Sequence, residues 1–206
     1  MKKLIGFYDY TVILTYLGLT CAVLGMIQAF RGLDEIALLL LGGALFCDTT
    51  DGMVARSKKG RTDVEKQFGV QIDSLCDVIS FGVFPALMFY FQGMETAVDI
   101  CLLVFYCLCC VVRLAFFNVL AQEPQKSGPA SYHGLPVVGM AIFVPMAFMM
   151  EHWVSDVAFL VILRCMLLVF GTLYVLDFKI KKPKAWQVSL IGLFFWIPMA
   201  VIFFRR

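Results

Sequence analysis

Charge is what this chain has least of. Asp, Glu, Lys and Arg make up 16% of its 206 residues, while hydrophobic types reach 61%; ordinary soluble domains carry roughly a quarter charged residues. That balance excludes a water-soluble globular protein. Histidine occurs only twice, and no cysteine stands in zinc-type paired spacing with either one, which argues against a zinc module. The eight cysteines (Cys21, Cys47, Cys76, Cys101, Cys107, Cys109, Cys110 and Cys165) all fall in apolar runs and read as small buried hydrophobes. No tandem repeat or low-complexity stretch is present. The formal net charge of +2 says little by itself, and nucleic acid is not among the expected partners.

What is there instead is a series of apolar runs near 20 residues long, the length that crosses a bilayer as a helix. The expectation is an all-α, polytopic membrane bundle in one domain, residues 1–206, with about seven spans and a range of six to eight. The spans read as about 8–30, 35–55, 67–91, 98–120, 135–150, 157–176 and 187–204. The N-terminal MKKLIGFYDY resembles a signal peptide only faintly, because the apolar stretch behind it is too long, so an uncleaved first helix is expected. Lys2, Lys3, the loop after Arg56, the loop with Lys126 and the loop with Lys179, Lys181, Lys182 and Lys184 fall on one side. By the excess of Lys and Arg that side is cytoplasmic. Arg205 and Arg206 would fall on the other side if the last segment crosses fully.

Against this apolar background stand four aspartates, Asp48, Asp51, Asp73 and Asp77, between the apolar runs 36–47 and 78–91. A carboxylate at membrane depth costs roughly 2.5–3.5 kcal/mol, and an intramembrane acid is a functional-site hypothesis by default. Asp48 and Asp51 are three residues apart, and Asp73 and Asp77 four apart. On a helix each pair shares one face, one turn apart. Two such helices side by side would gather four carboxylates that repel unless protonated or holding a cation. Hard oxygen donors of this kind suit Mg²⁺, Mn²⁺ or Ca²⁺. The small residues Gly52, Ala55 and Gly69 beside the acids permit close approach of a helix or substrate. A divalent-cation transporter is the alternative from a different class, but its acids belong near the bilayer midplane, and these lie at the cytoplasmic ends of spans two and three.

The order Asp48, Asp51, Gly52, Ala55, Arg56, Gly69, Asp73, Asp77 resembles the signature of the CDP-alcohol phosphotransferase family. The one departure is the spacer from Ser57 to Phe68, twelve residues and longer than is usual, with the charged run Ser57 to Lys66 expected as an extended surface loop. The resemblance implies that Asp48, Asp51 and Asp73 hold metal. Asp77 is the expected general base and shares a metal. Thr15, Asp48, Gly52, Ala55, Arg56 and Gly69 are expected to meet the CDP-lipid. DSLCDVISFGVFPA (Asp73 to Ala86), RLAFFN (Arg113 to Asn118) and Gly134 to Pro136 resemble the phosphatidylserine synthase branch, although Phe116 replaces an arginine there.

The implied reaction moves the phosphatidyl group of CDP-diacylglycerol to L-serine and releases CMP. Mg²⁺ or Mn²⁺ would serve as cofactor, and the enzyme would be a homodimer among membrane lipids, in the cell membrane, with its site facing the cytoplasm. Arg113, an intramembrane cation suited to a carboxylate, is the expected acceptor contact together with Asn118, Ser80 and His133. Glycerol phosphate, inositol phosphate or an amino alcohol are the alternative acceptors. Arg164 is expected to be structural, and Cys76, although inside the motif, is not expected to bind metal.

Overall fold

The computed structural model describes residues 5–122, 131–151, 153–181, 195 and 197–202, with backbone only at 121–122, 131–133 and 179–181. Among them, five helices are long and apolar enough to cross a membrane. These are α1 (Ile13–Phe30), α2 (Asp34–Ser57), a continuous rod over Asp63–Phe91, α5 (Ala97–Gln122) and α7 (Asp156–Val175). The rod comprises α3 (Asp63–Asp77), a π-helical stretch Val78–Val83, and α4 (Phe84–Phe91). The shorter α6 (Gly139–Glu151) has 13 residues and Pro145 inside it. At 1.5 Å per residue it spans about 20 Å, less than the roughly 30 Å hydrocarbon core. The expected seventh span lies mostly outside the described residues; Phe195 and the stretch 197–202 are helical.

The exterior is apolar: Phe46, Leu108, Val119, Val157 and Val169 are all exposed. Water would penalise such a surface, whereas lipid does not. The chain is an integral membrane protein of all-α type. Cys101 and Cys165 face outward rather than inward, a correction to their expected burial; a thiol against lipid loses little.

α1 and α2 form an antiparallel hairpin through Gly32, whose φ of 70° suits glycine. α1 closes on α2 and on the rod through small residues. A Cβ on Gly18 would lie 3.2 Å from that of Cys47, and one on Gly25 would lie 2.3 Å from the Phe84 ring. Without a hydrophobic drive inside a bilayer, such close approach is how helices gain contact.

α3 starts earlier than the sequence suggests. Thr62 and Glu65 form a capping box, each side chain accepting from the other's backbone N–H. The expected surface loop Ser57 to Lys66 is therefore corrected: only Lys58–Thr62 is loop, and Asp63 onward is helix. Two orphan N–H groups satisfied reciprocally are enough to begin a helix inside a run of charge.

The π-helical stretch has a local cause in Pro85. Proline has no N–H for the carbonyl four residues back, that of Phe81. The Tyr106 hydroxyl, fully buried on α5, donates to the Phe81 carbonyl instead at 2.5 Å. This bond ties α5 to the rod just past Asp77.

Two short strands, β1 (Ser131–His133) and β2 (Lys179–Lys181), pair antiparallel with Tyr132 opposite Ile180. They join the polar loop after α5 to the basic loop after α7, which the sequence reading left unconnected. Gly134, at φ 65°, donates its N–H to the Phe178 carbonyl at 2.6 Å.

Away from these loops, Arg164 of α7 grips Asp99 of α5 in a fork, with Nε–Oδ1 2.6 Å and Nη2–Oδ2 3.0 Å. Asp99 is fully buried and also accepts from Thr96. Asp99→Ala leaves the half-buried Arg164 without its partner and should lower stability, read as earlier thermal unfolding in detergent. Turnover per folded molecule should stay within about twofold, because neither residue lines the acidic cluster.

Candidate active site

Asp48 and Asp51 lie near the C-terminal end of α2, and Asp73 and Asp77 in the last turns of α3. The tight Lys58–Thr62 connection folds α3 back beside α2, so the two pairs face each other. Carboxylate oxygens of Asp48, Asp73 and Asp77 all lie within 4.8 Å of one another. Across the helices Asp48 faces Asp77 and Asp51 faces Asp73. Asp51, buried, also accepts from Thr15 Oγ1 of α1 at 2.9 Å. Three helices thus hold the cluster.

At 4.8 Å two unit charges repel by about 3 kcal/mol for an effective dielectric of 20, and several such pairs coexist here. A divalent cation relieves this. The donor set fits one: the oxygens are hard, and bonds of roughly 2.0–2.6 Å to one ion place opposite ligands about 4–5 Å apart. A small cavity of about 10 Å³ lies among Thr15, Asp48, Asp51, Asp73, Asp77 and Ser80. Cys76 lines it too, but its sulfur is outside the oxygen triad.

A larger cavity of about 210 Å³ shares Thr15, Asp51 and Asp73 with the small one. Gly52, Ala55 and Gly69 give it a floor without long side chains, and Arg56, Arg61 and Lys66 contribute three cations to its wall. Thr15, Gly52, Ala55, Arg56 and Gly69, singled out from sequence, all line it. Arg61 and Lys66 were missed, because the charged run read as loop. The long spacer before Gly69 was the signal that could have found them.

Beside this cavity the N-terminal segment is clasped down. Lys58 Nζ bonds Asp9 at 2.6 Å and Glu65 at 3.2 Å. Phe7 packs edge-on against Phe68 with centroids 5.4 Å apart. Lys58 and the hydroxyl of Thr11 hold the Asp9 carboxyl down at about 2. Nothing in the N-terminal sequence had singled Asp9 out.

The expected acceptor residues scatter. Ser80 is buried at the small cavity, within the π-helical stretch. Asn118 of α5 accepts from Ser74 at 2.9 Å and donates to Gln71 at 3.3 Å, fastening α5 to α3 beside the acids. Arg113 is buried with its guanidinium 4.3 Å from the Phe117 ring centroid, and it donates to the Tyr174 carbonyl at 3.4 Å. It lines a different cavity, of about 200 Å³, together with Phe116 and Asp177. The structure does not bring Arg113 into the acidic cluster. For His133 the backbone pairs with Lys179, and its side chain lies outside the described residues.

The arrangement is an anion-sized cavity rimmed by cations and floored by small residues, opening onto a carboxylate cluster that suits a divalent ion. Comparison with known proteins places it. Residues 11–204 match the CDP-alcohol phosphatidyltransferase family. The archaetidylserine synthase of Methanothermobacter thermautotrophicus is 32% identical over 84% of this chain and 72% of its own length. The CDP-diacylglycerol–serine O-phosphatidyltransferase of Saccharomyces cerevisiae is 40% identical over 53% of this chain, and that of Methanocaldococcus jannaschii 30% identical over 70%. The matched part spans 40% and 61% of those two relatives' lengths. No solved structure matches this chain. With nearly the whole chain inside the family match and the eight signature positions gathered around two adjoining cavities, the chain belongs to the CDP-alcohol phosphatidyltransferase family.

Proposed function

We propose that this chain transfers the phosphatidyl group of CDP-diacylglycerol to L-serine and releases CMP. The observation that carries the reading is the junction of the cation-walled cavity with the carboxylate cluster at Thr15, Asp51 and Asp73. A nucleotide diphosphate needs the first, and activation of a hydroxyl needs the second. The names of the relatives supply the acceptor: two are serine phosphatidyltransferases and one an archaetidylserine synthase.

In this reading Asp48, Asp51, Asp73 and Asp77 hold Mg²⁺ or Mn²⁺, which supplies neutralisation of the diphosphate charge. Gly52, Ala55 and Gly69 let the donor approach the backbone. Arg56 takes phosphate or cytidine with a planar fork of donors. Asp77 accepts the proton of the serine hydroxyl, whose oxygen bonds to the lipid-linked phosphorus while the bond to CMP breaks. Arg113 stands in a separate cavity with Asp177 and is not assigned a contact with the reacting serine. Ser80, Asn118 and His133 complete the acceptor side. The chain acts as a single membrane domain and a homodimer in the cell membrane. The Lys and Arg excess beside the acid-bearing helix ends supports a site on the cytoplasmic face.

The test is CMP release from CDP-diacylglycerol by the purified protein with Mn²⁺, comparing L-serine, glycerol 3-phosphate, inositol phosphate and ethanolamine. Serine should exceed the other acceptors at least about tenfold, the factor that 1.4 kcal/mol of selectivity gives. Serine at the no-acceptor background would remove the reading.

A further inference from the structure

Arg61 sits inside the long spacer between Arg56 and Gly69, where the family signature has no fixed residue. Its outer guanidinium nitrogens are held by backbone carbonyls of two helices, Nη1 by Ala55 at 3.4 Å and Nη2 by Glu65 at 3.0 Å. That leaves one N–H on each outer nitrogen and the N–H of Nε. Among the described residues Nε is the one buried side-chain polar atom without a hydrogen-bond partner. Arg61 lines the 210 Å³ cavity with Arg56 and Lys66, and a Cβ on Gly69 would lie 2.7 Å from Nη2. Glycine at 69 is therefore what leaves the guanidinium its place.

Buried donors in native proteins are paired almost without exception. A guanidinium held on two sides at the wall of a cavity, with further N–H donors uncommitted, suits an anionic acceptor. Lys66 differs: it is exposed and paired with Asp63 at 2.9 Å, so it contributes field rather than a fixed contact. Phosphoryl oxygens match the charge and the geometry that arginine prefers.

We infer that Arg61 is a donor-binding residue that takes an oxygen of the nucleotide diphosphate, so that the long spacer is part of the donor site rather than surface loop. This rests on the proposed function only in needing a nucleotide-diphosphate donor.

The test is titration of CDP by calorimetry, with Mn²⁺ present, into full-length protein in lipid nanodiscs, for wild type and Arg61→Gln. A hydrogen bond to a charged group corresponds to about 10- to 100-fold in affinity, so Kd for CDP should rise by about that factor. The KM for serine should not move, although loss of the two carbonyl bonds lowers the unfolding temperature somewhat. Unchanged CDP affinity overturns the inference. So does a rise in serine KM that matches the rise in CDP Kd, the mark of a residue that only ties α2 to α3. Should Arg61→Gln not fold, Arg61→Lys takes its place: it keeps the charge but not the fork and should weaken CDP by about threefold, with no change counting against the inference. Wild type that binds CDP but releases no CMP with serine removes the serine reading and leaves Arg61 standing. Wild type that does not bind CDP removes both.

Discussion

Asp77→Asn should lower CMP release by about 10²- to 10⁴-fold, the range of a lost general base, while CDP binding stays within about threefold of wild type. Asparagine keeps the shape and one oxygen but cannot accept the serine proton. The separation of turnover from binding has a structural ground. Asp77 lines the small acidic cavity but not the larger, cation-walled one. It stands at the last residue of α3, where the rod passes into the π-helical stretch Val78–Val83. Calorimetry with CDP alongside steady-state CMP release decides the matter. If the two quantities fall together, Asp77 serves chiefly as a metal ligand and the proton acceptor must be sought elsewhere.

The second large effect is metal removal. Chelation should take CMP release to background, and Mg²⁺ or Mn²⁺ should restore it. The same ions should also raise the unfolding temperature at pH 7. The sign follows from the geometry: carboxylate oxygens within 4.8 Å repel by about 3 kcal/mol per pair at a dielectric of 20. An ion that binds only the folded cluster relieves that repulsion and stabilises by mass action. Asp48→Asn removes one ligand and one charge together. It should shrink the metal-dependent rise while leaving the metal-free protein no less stable. An unfolding temperature indifferent to both chelator and metal would mean that the acids are neutralised by shared protons instead, and metal assistance would have to be abandoned.

Much of this site can be read along the chain. The three- and four-residue spacings of the aspartates are local helix geometry, as is the placing of Gly52, Ala55 and Arg56 on the turn that follows Asp51. The start of α3 was legible too, since Thr62 and Glu65 carry the capping-box pattern, but the charges around them read as loop. Pro85 hinted at a backbone irregularity one turn earlier. It could not announce that Tyr106, 25 residues on, would take the released Phe81 carbonyl. Arg113 was legible as a costly buried cation. Its partners, the Phe117 ring and the Tyr174 carbonyl, depend on how α5 and α7 lie together.

The division has one physical reason. Spacing along a helix follows from its 3.6-residue turn, so the amino-acid order alone determined the long apolar helices and the two acid pairs on them. How each helix is rotated against its neighbours depends on which small residues let backbones close. Gly18 against Cys47 and Gly25 under Phe84 set that rotation here. Only that packing decided that Thr15 meets Asp51, that Arg61 folds back over Gly69, and that Arg113 stands apart from the carboxylates.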